Sequence, residues 1–306
     1  MKYALFGMIA LMFASGMSVS GSAQTAANEK DLLRRMQDMR ALDSYTHRRS
    51  EKDRREMESM NPPGLDKKAK DRIRMMRMLD TRDVEQYKTF LTEGKKTGIF
   101  RIFPDFDCVS KNLVNIGSEC SGFVPETSDF SFRSIAYTNR LYHDIAFDRT
   151  DLISDSFFSQ GILVSIGDVP IEKVTLGLAE LKYLVGFKPD VLVASAKQTA
   201  HSLDAGVDSD GFHYSSSVFP SANTTYAVRN IAYRFAGSLA PISPDSTFTE
   251  IKFKSLEMDS RDDVIVAFRI VRKDVDSGLT IVWKELSRRE APKLKFGKGE
   301  LLSDFK

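Results

Sequence analysis

The sequence predicts an α+β fold: a helical N-terminal arm, then a mostly antiparallel, β-rich body, sandwich-like or barrel-like, with one or two helices. Three observations carry this. Residues 24–98 are rich in charge and Met with few β-branched side chains. From Ile99 onward, short runs of Ile, Val, Phe and Tyr alternate with Gly, Pro, Asp and Ser, the pattern of strands and turns. Burying that many amphipathic strands requires two sheets face to face or one sheet closed on itself.

Ahead of the arm, residues 1–23 read as a secretory signal peptide. Lys2 supplies the basic start, Tyr3 to Phe13 the apolar run, and Gly21-Ser22-Ala23 a small-x-small cleavage site. The run is about half of the roughly 20 residues that span a bilayer. No Cys closes the segment as a lipid anchor, and no later stretch is apolar for long enough to span. The expectation is an exported chain, periplasmic or extracellular, with no transmembrane span after cleavage. In such an oxidising space Cys108 and Cys120, the only two cysteines, are expected to form a disulfide. That loop would contribute roughly 3 kcal/mol in the chain-entropy model. A zinc site is the poorer reading, because no His lies near the pair.

Charge separates the two regions. Of 44 Lys+Arg and 42 Asp+Glu, residues 24–98 hold 19 and 14, and residues 99–306 hold 24 and 28. A basic arm therefore precedes a mildly acidic body, and the near-neutral total gives no case for nucleic-acid binding. Within the arm, Leu32, Met36, Met39 and Leu42 mark one helical face. Asn61-Pro62-Pro63-Gly64 ends that segment. A second helix is expected from about Asp66 to Leu91, with Ile73, Met76, Leu79, Val84, Tyr87 and Leu91 on its apolar side, ended by Gly94 and Gly98. The stripe either docks on the body or meets a protein partner or lipid surface.

In the body the expected strands are Ile99–Phe103, Phe130–Tyr137, His143–Asp148, Gly161–Ile166, Ile171–Leu176, Thr225–Phe235, Phe248–Phe253, Val264–Val271 and Leu279–Trp283. The last two flank a hairpin turn with Gly278 placed for a positive φ. A helix is expected over about Asp190–Leu203, closed by Gly206.

An internal echo is the most specific pattern. Phe-Ser-Phe-Arg-Ser-Ile-Ala-Tyr at 130–137 returns as Tyr-Ala-Val-Arg-Asn-Ile-Ala-Tyr at 226–233, with Arg133 and Arg229 in one register. The sequence allows two related halves within 99–306, or two neighbouring strands shaped by one packing environment. The two arginines, with Arg269 on a third strand, have two readings. Either the guanidinium lies on an apolar face and pairs at its rim with Asp144, Asp262 or Asp263, or Arg133 and Arg229 bind an anionic small ligand through bidentate hydrogen bonds. If they are structural, Arg133→Ala and Arg229→Ala destabilise the body.

Chemistry-bearing motifs are sparse. His47, His143, His201 and His213 make no metal-ligand spacing, and no nucleophile elbow, Walker loop or Rossmann loop appears. Asp208-Ser209-Asp210-Gly211 matches only part of a calcium loop and reads as an acidic turn. No cofactor or metal is implied. The expected function is a non-enzymatic binding or assembly protein, its partner unknown and met through residues 24–98. A carrier of small anions using Arg133 and Arg229 is one alternative. A hydrolase with a carboxylate/His143 site is the other; its catalytic residues are not identified by the sequence.

Overall fold

A computed structural model describes residues 67–106, 109–110, 113–114, 127–235, 256, 259–275 and 277–297. The signal segment, the arm before residue 67, Cys108, Cys120, His47 and the expected strand Phe248–Phe253 lie outside the described residues. Three short helices come first: α1 (Lys67–Met76), α2 (Thr81–Gln86) and α3 (Lys88–Glu93). Strand β1 (Thr97–Ile102) and the small hairpin of β2 (Val109–Ser110) and β3 (Leu113–Val114) follow. Then come β4 (Asp129–Ser131), β5 (Ala136–Tyr137), β6 (Ile145–Asp148), β7 (Asp151–Ile153) and β8 (Ser159–Gly167). A helical stretch holds α4 (Lys182–Gly186) and α5 (Val193–Ala205). The chain returns to strands with β9 (Val207–Ser209), β10 (Phe212–Ser215), β11 (Ser217–Val218), β12 (Thr224–Ala232) and β13 (Arg234–Phe235). It continues through β14 (Asp262–Lys273), β15 (Leu279–Glu290) and β16 (Lys293–Leu294).

Two antiparallel sheets form the body. One has seven strands in the order β1-β15-β14-β12-β8-β10-β9, the other five in the order β11-β7-β6-β4-β5. The expected sandwich-like α+β architecture is what the chain adopts. Alternation along β14 explains why its central run, Val264 to Phe268, is wholly apolar. Val264, Val266, Phe268 and Ile270 face the core between the sheets, while Ile265 and Ala267 face a second core beneath the helical stretch. A strand buried on both faces reads as a continuous hydrophobic run. The inter-sheet core is aromatic: Phe100 stacks on Phe130 at 3.8 Å, and Phe132 sits 5.3 Å from Trp283.

Gly98, expected as a helix terminator, instead lies inside β1 opposite Trp283. A Cβ there would stand 2.5 Å from the indole Nε1. Gly98→Ala is expected to cost about 1–3 kcal/mol by overpacking. Trp283 is the only Trp and is buried, so its emission reports the displacement directly. An unchanged spectrum and melting point would contradict this packing.

Four expectations are corrected. The helix over 66–91 is three helices, because Asp80 takes an extended conformation and its carboxylate accepts from the Arg82 backbone N–H at 2.8 Å, capping α2. The strand over 130–137 breaks after Ser131. The Asp144 carboxylate accepts from the Arg133 backbone N–H at 2.9 Å, and Ile135 turns through φ 55°. Ile171–Leu176 is not a strand: Pro170 opens a 3₁₀ turn over Ile171–Lys173. Ile171 and Val174, both fully buried, sit three residues apart as that helix requires. In the 274–278 turn the positive φ of 62° belongs to Ser277, not Gly278. By contrast, Gly206 ends α5 at φ 88°, as its sequence position predicts.

Residues 67–93 dock on the body. Tyr87 packs into the core beneath the helices, with Phe90 and Leu91 against it. Arg77 stacks 3.6 Å over the Tyr137 ring. Arg101 donates to Met76 O at 2.7 Å and to Asp274 at 2.8 Å, and Arg272 reaches Asp80, Asp83 and Asp274.

Candidate functional site

Arg229 stands on the helix-facing side of β12, opposite Ile265 of β14. The diagonal neighbour on β14 is Asp263, whose own opposite on β15 is Arg289. Register alone therefore sets a row Arg229–Asp263–Arg289 across three strands. Arg229 Nε and Nη2 donate to the two Asp263 oxygens at 2.9 and 2.8 Å, and Arg289 Nε donates to Oδ2 at 2.8 Å. The remaining Arg229 nitrogen, Nη1, donates to Leu184 O at 2.6 Å and Phe187 O at 2.7 Å. Those carbonyls end α4, where helical acceptors lack partners. The Arg229 and Asp263 side chains are 0% and 2% exposed. Burial pushes the Asp263 carboxyl above the usual range, against the pull of Arg229.

Arg133 occupies a different setting, in the turn after β4. Its Nε donates to Asp144 at 2.6 Å, Nη1 to Asp259 at 2.8 Å and Ser260 O at 2.7 Å, and Nη2 to Tyr142 O at 2.8 Å. Arg261 shares Asp259 at 2.8 Å and donates to Tyr233 O and Phe158 O. Burial, then the like charge of Arg133, pull the Arg261 guanidinium down to about 10. For Arg133, burial opposes the charge but Asp144 and Asp259 outweigh it, holding the group above its ordinary value.

The sequence offered Asp144, Asp262 and Asp263 as carboxylate partners without assigning them to particular arginines; Asp144 holds Arg133 and Asp263 holds Arg229. Both pairs lie inside the protein rather than at the expected rim. Asp262 pairs with Arg288 instead, at 2.7 Å. Arg133 and Arg229 share no hydrogen-bond partner, and their segments differ: Arg229 is mid-strand in the seven-stranded sheet, Arg133 in a turn beside the five-stranded one. Arg261 and Arg289 went unread in the sequence; Arg261 stands two residues from Asp259, whereas Arg289 reaches Asp263 only through the β14–β15 pairing. Arg269 pairs with Asp168 at 2.6 Å and donates to Thr225 Oγ1 at 3.1 Å.

Among the described histidines, His143 is the buried one that lies beside a carboxylate. Its Nδ1 lies 3.0 Å from Asp129 Oδ1, a close approach outside hydrogen-bond alignment. Ser128 Oγ donates to the other Asp129 oxygen at 2.6 Å. In a serine triad the imidazole Nε2 faces the nucleophile. Here Nε2 meets the Asp155 carbonyl at 2.9 Å, and the residue is 2% exposed. Ser128 bonds the carboxylate, not the imidazole. His213 is exposed and pairs with Asp208 at 2.8 Å, Asp210 pairs with Lys182 at 3.0 Å, and His201 faces solvent on α5. The partial calcium-loop sequence is therefore a turn joining β9 and β10, with Asp208 on the His213 imidazole and Asp210 on Lys182. No cluster of three or more His, Cys, Asp or Glu able to hold a metal occurs among the described residues.

The outer surface is distinctive at one end of the sandwich. Met75 and Met78 are each 64% exposed, Phe219 is 62% exposed, and Val275 stands fully free. Two sets of contacts tie these positions together. Arg101 bonds both Met76 and Asp274, and Lys273 lies 5.4 Å over the Phe219 ring. The tip of the β14–β15 hairpin thus stands beside the segment carrying Met75 and Met78 and beside Phe219. The sequence showed Val275 only as a turn residue and gave no sign that Phe219 sits beside the same hairpin. Searches of family models, curated proteins and solved structures find no match to this chain.

Proposed function

We propose that the chain is an exported, non-enzymatic binding or assembly protein that makes contact through the end carrying Met75, Met78, Phe219 and Val275. One contrast supports this reading. The polar groups that could do chemistry or hold an anion are buried and engaged internally, whereas the four most exposed large apolar side chains among the described residues stand in water at one end. Clustered exposed apolar groups mark interaction surfaces; scattered single ones do not.

The test is photo-crosslinking in the producing cell, with the reactive amino acid placed at 75, 219 or 275 and, as a control, at the exposed Leu176. Adducts from the first three positions and none from 176 are expected. Equal labelling at all four, or none at any, would remove the reading. Export belongs to the same proposal: the recovered chain should begin at Gln24, with an intact mass showing Cys108 and Cys120 joined.

A further inference from the structure

The sequence excess of positive charge in the arm has a definite address. Residues 24–66 hold nine basic and nine acidic side chains, while residues 67–98 hold ten and five. Half of those ten lie in α1 alone, whose sequence KKAKDRIRMM has a single acid, Asp71. Lys67, Lys70, Arg72 and Arg74 are exposed and make no ion pair among the described residues. Most other arginines of the body are committed: Arg101, Arg133, Arg229, Arg269, Arg272 and Arg288 each hold a carboxylate.

Among the described side chains of α1 only Ile73 is buried. Met75 follows it by two residues, about 200° around a helix, so it points away from the body. Met78 continues that exposure beyond the helix end, and the free Val275 and the Lys273–Phe219 pair lie beyond the Arg101 bridge.

We infer that this end of the molecule lies on an anionic lipid surface, with the α1 cations against headgroup phosphates and the tips of Met75, Met78, Val275 and Phe219 among the outer acyl carbons. The inference rests on the binding reading above and names its partner. Charge complementarity selects the occupant: unpaired lysines and arginines flank apolar tips on a chain whose body is otherwise mildly acidic. The tips protrude, Val275 wholly so, which suits insertion between headgroups rather than a knob-in-groove contact with a protein. No described helix is long and apolar enough to cross a membrane.

The experiment is co-sedimentation of the full chain with phosphatidylcholine vesicles, with and without phosphatidylglycerol. Each basic side chain near an anionic surface strengthens binding by roughly fivefold. Lys70→Glu/Arg74→Glu is therefore expected to weaken binding to the anionic vesicles by at least tenfold. Met75→Ser/Met78→Ser is expected to weaken it several-fold, and added salt to weaken it in the parent. Every variant shares one N-terminus, so residues 1–23 contribute equally throughout. Unchanged Trp283 emission shows that the variants fold. Equal binding by parent and variants, or no binding to either vesicle, overturns the lipid assignment. Protein adducts at 75 and 275 without vesicle binding would overturn it while leaving the binding reading standing. Absence of both adducts and vesicle binding would remove the two together.

Discussion

Arg229→Met is expected to lower the unfolding free energy by about 3–5 kcal/mol, the range for breaking a buried ion pair from one side. Three groups lose their donor at once: the Asp263 carboxylate and the carbonyls of Leu184 and Phe187. Arg289 still reaches Asp263, but that side chain is 53% exposed and water weakens its hold. The effect has a pH signature. Burial already pushes the Asp263 carboxyl upward, and removing Arg229 raises it further. A carboxyl whose folded value exceeds its unfolded one binds its proton first in the folded state, so stability grows as pH falls through the folded value. The deficit of Arg229→Met is thus largest at neutral pH and shrinks in acid. Arg229→Met/Asp263→Leu should recover much of the loss, because no charge is then left buried. Urea unfolding followed by Trp283 emission, run from neutral to mildly acidic pH, measures all of this. A pH-independent deficit would mean that Asp263 is not the group left exposed to the low-dielectric interior.

The same residues show what a linear sequence can reveal. The central strands were legible because β12 and β14 are buried on both faces, so their apolar runs survive any error of register. Asp144 and Asp263 were legible as carboxylates open to pairing, but the arginine each holds was not, because strand register and turns set it. Boundaries failed where a side chain overrides the local period. Asp144 pulls the backbone out of strand after Ser131, Asp80 interrupts a helical stripe to cap a new helix, and Pro170 turns an apparent strand into a 3₁₀ turn. The exposed end was not legible at all. It is assembled from residues 75–78, 219 and 275, and only the β14–β15 hairpin and the Arg101 bridge bring them together.

Arg133→Met is the second large effect, expected at about 3 kcal/mol, the lower end for a broken buried pair. The moderation has a structural cause. Asp144 keeps two donors when the guanidinium is gone, Ser131 Oγ at 3.1 Å and the backbone N–H of residue 133 itself. Asp259 keeps Arg261, which is also relieved of a like charge nearby. Asp259→Ala is the informative companion, because it leaves Arg133 and Arg261 facing each other with no shared carboxylate. Its cost should exceed that of Arg133→Met, and Arg133→Met should become less harmful in its presence. That negative coupling in a double-mutant cycle separates a structural network from a ligand site. An anion-binding Arg133 would instead tolerate substitution with unchanged stability and lose only a ligand-dependent rise in melting point. With four of its donor contacts already made inside the protein, the loss of stability is the expected result.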